Sequence, residues 1–173
     1  NGTVTINGGA NALANYGTLD ADAISTWHSL FNEADGSITT DLLTLNGDVT
    51  FYNNGDFTGS IAGTSYQQEI GNTGDMTVAE DGKSLVSGSF YFYNEEDATL
   101  TNSGSAEEGG ENTIINLTRA NDSLTQVNSG TITATNGYSA ITTVNGSNDP
   151  KWIWNTATGV INGINPDAPL INL

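Results

Sequence analysis

The feature that most constrains this chain is a corner that keeps returning. The clearest copy is Val127-Asn128-Ser129-Gly130-Thr131-Ile132-Thr133-Ala134-Thr135, an apolar residue, an Asn-x-Gly turn and an alternating run. Weaker copies start at Asn15, Asn53, Asn72 and Asn102, and a looser one at Asn155. From Asn15 onward these asparagines are 38, 19, 30, 26 and 27 residues apart. Asn and Gly both tolerate positive φ, so Asn-x-Gly turns the chain sharply at little steric cost. In the run that follows, Ile132 and Ala134 point one way and Thr131, Thr133 and Thr135 the other. The same alternation appears at Thr3–Ile6 and at Asp48–Phe51. Short strands between polar corners suit a sandwich, a barrel or a β-helix. A reused corner favours the β-helix, in which each coil buries its apolar side against its neighbours. The reading is all-β: a parallel β-helix of roughly six to eight rungs about 4.8 Å apart.

Composition agrees with a thin core. Only 36% of the 173 residues are hydrophobic, while 24 are Thr, 22 Asn and 21 Gly. Recurring apolar pairs such as Leu42-Leu43, Ile114-Ile115 and Val160-Ile161 argue against disorder. Expected core residues include Leu43, Leu45, Val49, Phe51, Phe57 and Ile61, and alternation places Ile132 and Val160 inward. The absence of Cys removes disulfides and thiol chemistry. Net charge is −17, with Lys83, Arg119 and Lys151 the only Lys or Arg residues. No basic patch can be assembled from three cations, so binding to nucleic acid, to heparin-like polyanions or to anionic lipid is not expected. No stretch reaches the apolar length of a membrane span, so no direct membrane insertion of this segment is expected.

Two stretches depart from the repeat. In Ile24–Ala34, Trp27, Leu30, Phe31 and Ala34 stand at helical spacing with Ser25 as a cap, so a short helix or packed loop is expected there. Residues 63–110 are the least regular. Within them Phe90-Tyr91-Phe92-Tyr93 alternates, which reads either as one strand with Phe inward and Tyr on a rim, or as an exposed aromatic platform. Acidic loops follow at Asn94–Asp97 and Ala106–Glu111. Insertions into the coil are therefore expected at 25–36 and 88–111. Trp152 and Trp154 share one face of a strand, as a core ladder or a glycan-binding surface.

Catalysis finds little support. His28 is the only histidine and lies between Trp27 and Phe31, in packing company, and no Gly-x-Ser-x-Gly elbow occurs. One His and no Cys exclude His/Cys metal spacing. Asp20-Ala21-Asp22, Glu95-Glu96-Asp97 and Glu107-Glu108 offer oxygen ligands, but no calcium-loop motif frames them. Arg119, a base of the kind polysaccharide lyases use, has no acidic partner set. No catalytic residue, metal site or cofactor is assigned, and no enzyme is expected.

The Asn-Ser-Gly-Thr-Ile-Thr pattern and the closing Trp154–Ile164 run resemble the passenger domains of bacterial autotransporter (type V secretion) adhesins. The resemblance covers the chain loosely, best at 112–173. It implies a right-handed parallel β-helix, exported through an outer-membrane barrel and displayed at the cell surface. It implies adhesion, self-association or biofilm formation, with a host surface protein, a glycan or other copies of itself as partner. Residues 1–173 are then one segment of a longer passenger, as the strand-like ends Thr3–Ile6 and Pro169–Leu173 also suggest. The alternatives are a structural spacer and a β-helical polysaccharide-degrading enzyme. Affinity concentrates in aromatic anchors, so the candidate binding residues are Tyr91, Tyr93, Trp152, Trp154 and Trp27.

Overall fold

A computed structural model describes residues 2–7, 12–64, 68–78, 83–88, 90–102, 113–117, 125–134, 139–143, 152–163 and 171–172. The strands run β1 (Thr3–Ile6), β2 (Ala12–Asn15), β3 (Thr18–Thr26), β4 (Ser29–Asn32), β5 (Ser37–Leu45), β6 (Thr50–Asn53) and β7 (Asp56–Gly63). They continue through β8 (Gln68–Asn72), β9 (Asp75–Val78), β10 (Val86–Gly88), β11 (Phe90–Asn94), β12 (Thr99–Asn102) and β13 (Thr113–Leu117). The last are β14 (Thr125–Asn128), β15 (Thr131–Ala134), β16 (Ser139–Thr143), β17 (Trp152–Asn155), β18 (Val160–Gly163) and β19 (Ile171–Asn172).

Among the described residues every strand pairing is parallel and joins one coil to the next, which is a β-solenoid. One wall is a seven-stranded sheet in the order β2-β4-β6-β8-β11-β14-β17. A twelve-stranded sheet supplies two further walls. The long strands β3, β5 and β7 cross both of these walls in one run. The front of β7 pairs with β9 and its rear with β10, and the two walls then continue as β9-β12-β15-β18 and β10-β13-β16-β19. The bend within β7 falls at Gly59. Its φ of +143° suits glycine, and a Cβ there would lie 1.8 Å from the Thr40 carbonyl oxygen. The pairing with β5 shifts register at the same place.

Period-two alternation sends one set of side chains into the coil. On the wall that follows the Asn corner, Leu19, Ile38, Phe57, Met76, Leu100, Ile132 and Ile161 stack in register. On the seven-stranded wall Leu30, Phe51, Ile70 and Phe92 do the same. All six core residues expected at 43–61 are buried. Phe51 and Phe57 meet edge to face across the interior, ring centres 5.3 Å apart.

The corner is held by an asparagine ladder. The amide nitrogen of each asparagine donates to the side-chain oxygen of the next at 2.8–2.9 Å, from Asn15 through Asn32, Asn53, Asn72, Asn94 and Asn128 to Asn155. The same nitrogens also reach backbone carbonyls of the turn; Asn53, for example, donates to Gly55 at 2.8 Å and Asp75 at 3.1 Å. Five of the seven, Asn32 through Asn128, are buried. A buried amide left unpaired is costly, so the stack satisfies each coil's polar corner with the next coil's.

Three expectations are corrected. Ile24–Ala34 contains no helix: β3 ends at Thr26, the chain turns at Trp27-His28, and β4 follows. The helical spacing there spans a corner, where residues on either side belong to different walls. Asn102 is not on the ladder; it ends β12 between Val78 and Ala134. Val160 is not core. It is 44% exposed and lies beside Thr131, while Ile161 aligns with the buried Ile132. Within residues 63–110, the least regular part of the sequence, the described residues form five strands, β8 to β12, with the aromatic alternation in β11. The Ala106–Glu111 loop and Arg119 lie outside the described residues.

Candidate functional site

The outer side of the seven-stranded wall carries the candidate site. The residue just before each ladder asparagine faces outward, because the asparagine itself faces in. In register these residues are Ala14, Phe31, Tyr52, Gly71, Tyr93, Val127 and Trp154. Phe31, Tyr52, Tyr93 and Val127 are half-buried, and Trp154 is 65% exposed. Four rings thus line one file along the coil axis. Gly71 is small for a reason: a Cβ there would come within 2.6 Å of the Tyr52 ring. The ring of one coil covers the bare backbone of the next.

Polar files flank the rings. On one side, two residues earlier in each strand, stand Ser29, Thr50, Glu69 and Tyr91. The Ser29 hydroxyl accepts from the Thr50 amide at 3.1 Å. On the other side is the residue just after each ladder asparagine from Asn32 on: Glu33, Asn54, Thr73, Glu95, Ser129 and Thr156. Their backbone amides donate to the ladder asparagine carbonyl one coil back at 2.7–2.9 Å, which stacks them too. The Thr73 hydroxyl donates to the Asn54 side chain at 2.9 Å. Among the described residues this face carries no Lys or Arg.

The structure therefore brings Tyr91, Tyr93 and Trp154 onto one face. Trp152 belongs to the same strand as Trp154, its backbone in register with Thr125. Trp27 is elsewhere. It stands 59% exposed at the corner between β3 and β4, and a Cβ on Gly47 of the next coil would lie 3.7 Å from its ring. Sequence reasoning missed Phe31 and Tyr52. The signal was available: an aromatic residue directly before an asparagine at Phe31-Asn32, Tyr52-Asn53, Tyr93-Asn94 and Trp154-Asn155.

Among the described residues, other chemistry does not gather. His28 is half-buried at its corner, where its amide donates to the Thr26 hydroxyl at 3.0 Å and its carbonyl accepts from that hydroxyl at 2.6 Å. Among the described residues no three His, Cys, Asp or Glu side chains come together to hold a metal.

Comparison with known proteins adds a family. Residues 1–172 match the model of the family described as "BigA fourth domain". The chain is 99% identical over all of its 173 residues to a protein of Salmonella typhimurium (strain LT2) named "Putative surface-exposed virulence protein BigA". It spans 9% of that relative's length. No solved structure matches it.

Proposed function

The chain belongs to the BigA fourth-domain family, and from that premise we propose that it is an adhesive segment of a bacterial surface protein. Its task is contact with a host surface, or with other copies of the same protein in self-association and biofilm formation. The observation that carries this reading is the aromatic file on the outer side of the seven-stranded wall. A regular coil face made only of Thr, Asn and Asp offers little to desolvate. Aromatic side chains held on a rigid sheet lose little freedom on contact and act as anchors. The relative's name places that protein at the cell surface and links it to virulence, which agrees with an outward-acting segment exported beyond the outer membrane. The negative charge opposes nucleic acid and sulfated polyanions as partners.

A spacer role is the second reading. The continuous asparagine ladder and the all-parallel stacking favour it, since both make a stiff column that can hold another part of the protein away from the cell. The test is to display the full-length protein on cells with Tyr93→Ser and Trp154→Ser together, and to measure adhesion to host-cell layers and cell–cell aggregation at equal display. The adhesive reading expects both to fall. Unchanged adhesion in the double variant, with loss on deleting the whole domain, supports the spacer instead.

A further inference from the structure

We propose that the file Tyr52, Tyr93 and Trp154 is a stacking track for an extended, uncharged, β-1,4-linked glycan chain lying along the coil axis; this rests on the adhesive reading above. The argument starts from spacing. Three of the four rings occupy alternate coils, with Gly71 between Tyr52 and Tyr93 and Val127 between Tyr93 and Trp154, while Phe31 stands on the coil next to Tyr52 and lies outside the track. Parallel strands place coils about 4.8 Å apart, so the rings recur every ~9.6 Å. In a β-1,4-linked pyranose chain each sugar is turned over relative to the last, and the same face returns every second sugar. Two sugars cover close to the length of two coils. A ring on every second coil therefore meets the same CH-rich sugar face each time, and the small residues between leave room for the intervening sugar.

The flanks fit the same ligand. A sugar stacked on a ring projects its hydroxyls sideways, and here they meet Thr50 and Glu69 on one side and Asn54, Thr73, Glu95 and Ser129 on the other. These are hydroxyl, amide and carboxylate groups, which accept and donate the bonds a neutral sugar offers. The carboxylates repel uronic and sulfated chains.

The experiment uses the full-length protein displayed on cells. The probes are fluorescent β-1,4-linked N-acetylglucosamine dimer, tetramer and hexamer, with heparin for comparison, read by flow cytometry. Affinity is expected to rise from dimer to hexamer as each further ring is reached. Tyr93→Ala is expected to weaken hexamer binding at least about tenfold. Thr58→Ala, on another wall, is expected to stay within about twofold of the parent. No hexamer binding, equal affinity for all lengths, indifference to Tyr93→Ala, or a preference for heparin overturns the proposal. The two readings fail separately. If the hexamer does not bind but ring-deficient cells still lose adhesion, the glycan inference falls and the adhesive reading stands. If ring-deficient cells adhere as before, the adhesive reading falls.

Discussion

Replacing Asn72 with alanine removes the middle member of the ladder. Its side chain is fully buried. It accepts from Asn53 at 2.9 Å and donates to Asn94 at 2.9 Å, to the Gly74 carbonyl at 2.9 Å and to the Thr99 carbonyl at 3.1 Å. Not all of these losses weigh equally. The Gly74 carbonyl keeps the Thr99 amide as a donor, and the Asn53 nitrogen keeps Gly55 and Asp75. The Asn94 side-chain oxygen loses the ladder donor that reaches it, which costs about 1–3 kcal/mol for an unsatisfied buried acceptor. Adding the bonds that disappear outright, the loss comes to about 3 kcal/mol. With a urea slope of about 2 kcal/mol per molar, the unfolding midpoint should drop by roughly 1.5 M. Asn155→Ala is the control, because that asparagine is the exposed end of the described ladder and donates to Gly159 alone. It should cost less than about 1 kcal/mol. Urea titrations followed by far-UV circular dichroism measure both. Equal midpoints for the two variants, or an Asn72→Ala midpoint at the parent value, would refute the ladder as the main polar tie between coils.

Three further outcomes follow from the same geometry. Asn72→Asp puts an oxygen where Asn72 now donates to three acceptors. Burial raises that carboxyl above its unfolded value of about 4, so the folded state holds a proton the unfolded state has lost. The variant's stability, relative to the parent, should therefore fall as pH rises above about 4 in paired melts. Gly55→Ala and Gly17→Ala occupy the same motif position with opposite surroundings: a Cβ on Gly55 would sit 2.1 Å from the Gly36 carbonyl oxygen, while one on Gly17 meets nothing within 4 Å. The first should lose about 1–3 kcal/mol and the second stay within about 0.5 kcal/mol by thermal melts. Ile132→Asp, with a side chain 1% exposed in the parent, should remove the cooperative melt near neutral pH, because an unpaired charge enters the core.

Much of the coil was legible because its signals are local. An Asn-x-Gly turn followed by alternation locates β3, β7, β9 and β15, and the parity of Leu43, Phe51, Phe57 and Ile132 follows from it. The ladder was only partly legible. Asn32 and Asn94 reach their turn carbonyls four residues on, at Gly36 and Ala98, so neither shows the Asn-x-Gly spelling. Asn102-Ser103-Gly104 shows the spelling and is not on the ladder. Spelling is shared by any polar turn, whereas stacking depends on which coil lies next to which. Val160 was misread for a related reason. It follows Gly159 directly and so takes the place of Thr131, one residue out of phase with Ile132. The aromatic file escaped because Phe31, Tyr52, Tyr93 and Trp154 are 21, 41 and 61 residues apart in turn. Only the register through the asparagines makes them neighbours.

That register is the central claim, and the native chain's lack of cysteine makes it directly measurable. Tyr93 and Val127, 34 residues apart, are partners on adjacent strands, and their Cα atoms at about 4.8 Å fall within disulfide reach. Tyr93 and Trp154 lie two coils apart at about 9.6 Å, beyond that reach. The measurement is mild oxidation of the two double variants, Tyr93→Cys with Val127→Cys and Tyr93→Cys with Trp154→Cys, read by mass spectrometry of the intact chain. The account predicts an intramolecular disulfide in the first and free thiols in the second; a disulfide in the second with free thiols in the first would contradict it.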